Sequence, residues 1–515
     1  MQHAPARGMR ELSIDGFSLT VEDVVDTGRN LTTVSLSPNA RSRMGKSRAI
    51  VEGIIDSDEV VYGINTGFGA LSSVTIDSGK LRKLQTNLIR SHACGVGEPM
   101  EYAHVKMMML IRANTLCRGQ SGARESVVET LIQMINNGIC PLIPRIGSLG
   151  ASGDLAPLSH LAMGLIGEGE CEVIDGGEIV IMSTSQAFEN SGINPLVLEA
   201  KEGLSLINGT SQMCAFMCEC ISNLDMLMFA SDLSAACSLE GIMGSHAPFD
   251  RRIHDSRPHW GQSISAARIR EMLNNSQIKL SHADCDRVQD SYSMRCVPQV
   301  HGPVIDMLRE SRRILTIEIN SATDNPLVFA DGGGEIISGG NFHGQYIALA
   351  SDGLAVACHE VASISERRTN QLLDPKWSNQ KAFLANDEGL ESGLMIVQYT
   401  SAAILSELHL LASPATTSNV PVSMGKEDHV SMGATGAFRS LKSSRYLSQV
   451  IANELICATE ALDRIDEEAG EGVMKVHSWV RQIVSPLTGD RSMSNDSISL
   501  SEALLTGRIV EILGD

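Results

Sequence analysis

The sequence predicts a mainly α-helical protein, in which a long helix bundle follows an N-terminal part of mixed structure. Three observations carry this. Apolar residues recur at helical spacing in the second half, as in Val304, Leu308, Leu315 and Ile319 and in Leu447, Ile451, Leu455, Ala458 and Leu462. These stripes are long and narrow, which suits helices packed on one another. The first hundred residues, by contrast, are Gly-rich and mixed in pattern.

Between residues 100 and 200 helices alternate with loops. Residues 123–137 read as a helix, with Val127, Leu131, Met134 and Ile135 at i, i+4, i+7 and i+8. Gly138 supplies its stop, and Pro141 and Pro144 prevent continuation. Gly147 to Pro157, GSLGASGDLAP, reads as a loop running into a helix, with Asp154 placed to cap it. From about residue 200 the pattern is helical almost to the end, and small Ser311 fills the gap in its stripe. Turn residues such as Asp331-Gly332-Gly333-Gly334 mark the connections. Glu460, Asp463, Asp466, Glu467, Glu468 and Glu471 read as a solvated helix face and loop. The length of 515 residues is a prior of about three domains. With no repeat or low-complexity linker to cut at, the chain divides into an N-terminal part, 1–200, and a central and C-terminal helical bundle, 201–515.

Hydrophobic residues make up 43% and charged residues 20%, as in a globular protein with a large core. The net charge of −20 argues against nucleic-acid binding through phosphate neutralisation and against anionic membrane surfaces. No run of 18 apolar residues is present, and the closest stretch, Gly203 to Cys218, carries Ser, Asn, Thr and Gln, so no transmembrane helix is expected. The first ten residues lack the apolar region of a signal peptide, and twelve cysteines then read as reduced thiols in the cytoplasm. Cys214, Cys218 and Cys220 lack zinc spacing and read as small buried hydrophobes on a helix.

Several common motifs fail. A nucleophile elbow at Ser152 needs Gly at 154, where Asp154 stands. Gly45-Lys46-Ser47 ends like a phosphate loop, but Ala40 occupies the first required Gly position. There is no His-Glu-x-x-His, and His343 has no second ligand at metal spacing, so no metal is expected.

Ala151-Ser152-Gly153 offers another chemistry. In a sharp bend the Gly153 amide nitrogen can reach the Ala151 carbonyl carbon, since Gly153 has no side chain and Ala151 is small. Cyclisation with loss of one water, and loss of a second from Ser152, gives 4-methylideneimidazole-5-one. This is an electrophile made from the chain itself.

GSLGASGDLAPLSHLA closely resembles the signature of the aromatic amino acid ammonia-lyases, and within them the histidine-active members. The resemblance continues, in family order, in VYGINTGFG (61–69), LIRSHACGVG (88–97), LINGTS (206–211), QDSYSMRCVPQVHG (289–302), EINSATDNPLVF (318–329), SGGNFHGQ (338–345) and KEDHVSMGATG (426–436). It covers roughly residues 50 to 440. It implies a homotetramer whose sites combine residues of three subunits, an N-terminal electrophile-bearing part and no external cofactor. It also implies a small-molecule amino acid substrate, and for histidine the products are trans-urocanate and ammonia.

The same resemblance assigns roles. The substrate amine adds to the methylene built from Ser152, which makes it a better leaving group. Tyr62 matches the base or proton-transfer tyrosine; a free phenol titrates near ~10, so it needs nearby positive charge or hydrogen bonds. Arg295 is the candidate for the substrate carboxylate, because its planar fork binds in a bidentate way. Tyr292 is an active-site hydroxyl, and it and Gln289 would share roughly one face with Arg295 on a helical turn. Asn208 hydrogen-bonds the prosthetic ring or the substrate, and Phe342 walls the ring.

Substrate choice rests on His92 and Glu427. His92 stands where phenylalanine lyases carry an apolar residue, and a polar group there suits an imidazole or a phenol. Glu427 matches the Glu of histidine lyases, where tyrosine and phenylalanine lyases usually carry Gln. It can pair with an imidazole or with the departing amine. Two departures stand out. Gly425-Lys426 replaces the usual Asn-Gln, and a cation there favours the ionised form of Glu427. Gln345 replaces a Glu, as in many tyrosine-active members. Histidine ammonia-lyase activity is therefore expected; a tyrosine ammonia-lyase or an aromatic 2,3-aminomutase is the alternative.

Overall fold

A computed structural model describes residues 9–57, 60–67, 76–281, 288–507 and 509. Helix dominates, with 20 α-helices among the described residues. The chain forms two compact units.

The first unit comprises 1–219, 312–351 and 414–438. It contains all the described strands, in four small sheets. Arg10–Ile14 pairs in parallel with Thr32–Leu36, and Val96–Pro99 pairs antiparallel with Pro144–Ile146. Glu170–Asp175 lies between Ile139–Pro141 and Glu178–Ser183. The Asp331–Gly334 turn joins a short hairpin, Leu327–Phe329 with Glu335–Ile337, an interruption of the helical second half that the sequence did not announce. The central helix of this unit, Tyr102–Cys117, is buried along almost its whole length. A helix buried on every side has no solvent face to show, so its polar residues, His104, Lys106, Arg112 and Asn114, follow no amphipathic period. The helix expected at 123–137 spans Glu125–Asn136 and does have that period.

The second unit comprises 220–311, 352–413 and 439–515, and its described residues are helical or irregular. Its core holds a buried ion pair: Arg368 donates to both oxygens of Glu454 at 2.6 and 2.8 Å, and Ser238 and Ser365 donate to the same carboxylate. In the acidic stretch from Glu460, Asp463, Asp466, Glu467, Glu468 and Glu471 are exposed as expected, and of these six Glu460 alone is buried. Glu460 is buried and pairs with Arg464 and Arg481, while Asp463 pairs with His477 and Arg481. His477 and Arg481 come from the following helix, Glu471–Ile483, so charge density alone did not reveal the ion pairs at Glu460 and Asp463.

Three helices are long and apolar enough by length and composition to cross a membrane: Ser211–Gly241, Gln345–Leu373 and Met395–Thr417. The apolar windows of the first two are mostly buried inside the protein, 72% and 61%. Cys214, Cys218 and Cys220 lie inside the first of them and are fully buried, as small core residues.

Candidate active site

The Gly147–Asp154 loop leads straight into the Leu155–Leu165 helix. Asp154 stands at the start of that helix, but its side chain does not cap it. One oxygen accepts from Ser148 Oγ at 2.8 Å. The other accepts from the backbone nitrogens of Gln212 and Met213, at 2.8 and 3.2 Å. The carboxylate thus caps the Ser211–Gly241 helix, where free N–H groups and the helix dipole favour negative charge. Burial nevertheless pushes Asp154 up to about 6, because the bonds from Ser148, Met213 and Gln212 only partly offset desolvation.

Within the loop, Gly153 has φ +75, and an added Cβ would overlap the Gly209 carbonyl. Glycine is required there on both counts. The Asp154 amide donates to the Gly209 oxygen at 2.6 Å, and Asn208 Nδ2 donates to the Ser152 carbonyl oxygen at 2.7 Å. The loop is therefore held by Asn208 and Gly209 on one side. The other side is held by the segments that carry Phe342 and Glu427. Gly344 N and Ser431 Oγ donate to the Gly150 oxygen at 3.1 and 2.9 Å, and Met432 N donates to the Leu149 oxygen at 2.8 Å. Among the described residues the Gly153 amide nitrogen has no hydrogen-bond acceptor. Ala151 is buried, and Ser152 is half-buried. The Gly153 nitrogen is thus uncommitted in a loop clamped on both sides, which suits backbone cyclisation.

The other candidate residues of this unit are His92, Phe342, Glu427 and Tyr62. His92 ends the Leu81–His92 helix, half-buried, with Nδ1 2.9 Å from the Leu88 oxygen. The Gly95 backbone that follows packs on Gly147. Phe342 and Glu427 are half-buried. Tyr62 is half-buried in a turn that Thr66 and Asn65 close, through bonds from Gly63 N at 3.2 Å and Val61 N at 2.8 Å. Phe68 and Gly69, the end of its motif, lie outside the described residues.

In the second unit, Tyr292–Arg295 forms one helical turn. The Arg295 guanidinium lies over the Tyr292 ring, 4.6 Å from its centroid, and Tyr292 is 71% exposed. Gln371 holds the turn, with Ser291 Oγ donating to it at 2.7 Å and its own amide donating to Ser293 Oγ at 3.0 Å. The face shared by Tyr292 and Arg295 is as expected, but Gln289 departs from it. It lies in coil before the turn and lines a separate cleft with His246 and Arg270. Helical spacing does not extend past the start of the helix.

Sequence reading missed the supporting roles of Arg112, Gly209 and Ser431, which lie outside the loop's motif, and of Ser148 within it. It also missed Glu101, His104 and Glu219, which come together near the Tyr102–Cys117 helix. His104 Nε2 is 2.7 Å from Glu219, and Nδ1 is 4.0 Å from Glu101. The two carboxylates address opposite ring nitrogens, an arrangement for hydrogen bonding rather than shared coordination.

Comparison with known proteins identifies the family. Residues 19–482 match the family model described as aromatic amino acid lyase. A histidine ammonia-lyase of Myxococcus xanthus is 46% identical over 498 residues, 96% of this chain and 97% of that protein. The crystal structure of histidine ammonia-lyase from Trypanosoma cruzi is similar with a TM-score of 0.91 and 37% identity, covering 98% of this chain and 95% of that one. A tyrosine aminomutase from Streptomyces globisporus is similar with a TM-score of 0.91 and 36% identity, covering 98% of each chain. The match runs through nearly the whole sequence and the whole fold, and the chain belongs to the aromatic amino acid lyase family.

Proposed function

We propose that the protein is a histidine ammonia-lyase, which eliminates ammonia from L-histidine to give trans-urocanate in the cytoplasm. The observation that carries the reading is the clamped Ala151-Ser152-Gly153 loop, with its unbonded Gly153 nitrogen and its Ser152 carbonyl held by Asn208. These features fit a self-formed 4-methylideneimidazole-5-one. Once formed, that group supplies an electrophilic methylene for the substrate amine, which makes the amine a better leaving group.

The chain's own residues do the rest. Arg295 binds the substrate carboxylate through its planar fork, with its alignment supported by the Tyr292 ring. Tyr62 removes the β-proton, a step worth typically ~10²–10⁴-fold for a well-placed base. His92 and Glu427 meet the polar edge of the imidazole, which would otherwise be buried with unmet hydrogen bonds. Phe342 shields the pocket from water. Tyr292 supplies a polar contact at the amino acid end. In the homotetramer implied by the family resemblance, each site combines residues of three subunits.

A second reading, tyrosine ammonia-lyase or aromatic 2,3-aminomutase, is favoured by Gln345. Purified protein incubated separately with histidine, tyrosine and phenylalanine separates the two by the ultraviolet absorbance of each unsaturated acid. Urocanate forming fastest supports the first reading. Coumarate, or a β-amino acid recovered from tyrosine, supports the second.

A further inference from the structure

Arg112 lies in the middle of the Tyr102–Cys117 helix, directly behind the Asn208–Gly209 segment, and is fully buried. Its Nη1 donates to the Asn208 carbonyl oxygen at 2.8 Å. Its Nε and Nη2 are buried without a partner. The two nearest carboxylates are committed elsewhere. Asp324 takes Lys201 Nζ at 3.1 Å and the Asn325 amide at 2.7 Å, and Asp154 takes Ser148, Gln212 and Met213. A buried cation with one neutral acceptor is costly to the fold. Gly209 is shaped around it: an added Cβ would overlap Nη1 and press on the Thr323 carbonyl. The same residue pair, Asn208 and Gly209, holds the Ser152 carbonyl and the Asp154 amide on either side of Gly153.

We propose that Arg112 is a positioning residue for cyclisation of the Ala151-Ser152-Gly153 loop, acting through its bond to the Asn208 carbonyl. The proposal rests on the reading that this loop cyclises. In that reaction the Gly153 nitrogen bonds to the Ala151 carbonyl carbon. The Ala151 oxygen leaves as water with the amide protons of Gly153 and Ser152. The Ser152 hydroxyl leaves as a second water with its own α-proton. Each step keeps the loop in one bent geometry, and Arg112 fixes the wall against which it bends. Burial also lowers the affinity of Arg112 for its proton, to about 10, yet it stays charged at neutral pH and keeps its donors.

Arg112→Met, Arg112→Gln and Arg112→Lys test this, each compared with wild type by intact mass after denaturation, with circular dichroism and thermal melting as checks of folding. Methionine removes the donor. Glutamine keeps a polar group but is too short to reach, and serves if methionine does not fold. Lysine keeps a donor of nearly the right length. Folded Met or Gln chains are expected to lose most of the two-water mass deficit, and Lys is expected to retain it. A folded Met or Gln chain with the full deficit would overturn the role of Arg112, as would a folded Lys chain without it. A wild-type chain without the deficit would instead overturn the cyclisation reading itself.

Discussion

Gly209 shows how tightly the residue scale is determined. It separates the Arg112 guanidinium from Gly153, and a single methyl there would meet both Arg112 and the Thr323 carbonyl. Gly209→Ala is therefore expected to cost ~1–3 kcal/mol in chemical denaturation, as overpacking of a filled site does. An unchanged midpoint would contradict the packing. Ser152→Ala should keep the fold, because the change removes one atom from a half-buried residue, and should abolish turnover, because no methylene can form. Arg295→Lys should raise KM sharply by replacing a planar fork with a point charge; an unchanged KM would remove Arg295 from the carboxylate. The sequence made the Ala151-Ser152-Gly153 loop and its motif legible. It left Arg112 and Ser431 hidden, because their work is done through backbone atoms of residues distant in sequence, and no local pattern records that.

At the scale of elements, the Ser211–Gly241 helix and the loop share one carboxylate. Asp154 is in sequence the cap of the helix that follows it and in space the cap of another. Its folded-state pKa, about 6, is raised above the ordinary 3.8. The stability this group contributes is fully present below about pH 4 and is lost as the pH rises through 6. Asp154→Asn should flatten that part of the pH–stability curve relative to wild type, measured by urea unfolding. Identical pH dependence in both would contradict the shift. In the second unit, Arg368→Met leaves Glu454 charged and buried, and should cost ~3–5 kcal/mol. Amphipathic helices such as Glu125–Asn136 could be read from periodicity. The all-round buried Tyr102–Cys117 helix could not, since it has no solvent-facing side, and the burial of Glu460 was missed because its partner Arg481 lies in another helix.

At the scale of the whole molecule, the first unit holds the Ala151-Ser152-Gly153 loop with Tyr62, His92, Asn208, Phe342 and Glu427, and the second holds Gln289, Tyr292 and Arg295. The family resemblance assigns these to sites shared between subunits. Co-expressing Ser152→Ala and Arg295→Ala chains should then restore turnover that neither has alone, and no recovery would contradict a shared site. The motif blocks made family and fold legible across most of the chain. Substrate choice is less legible, because Glu427 points to histidine while Gln345 points away; Glu427→Gln should reduce histidine turnover more than tyrosine turnover. All of this chemistry depends on one covalent event in the loop. Intact mass spectrometry of the denatured wild-type chain measures it directly. A chain lighter than its sequence by two water molecules is expected, and a chain at its full unmodified mass would contradict the self-formed electrophile.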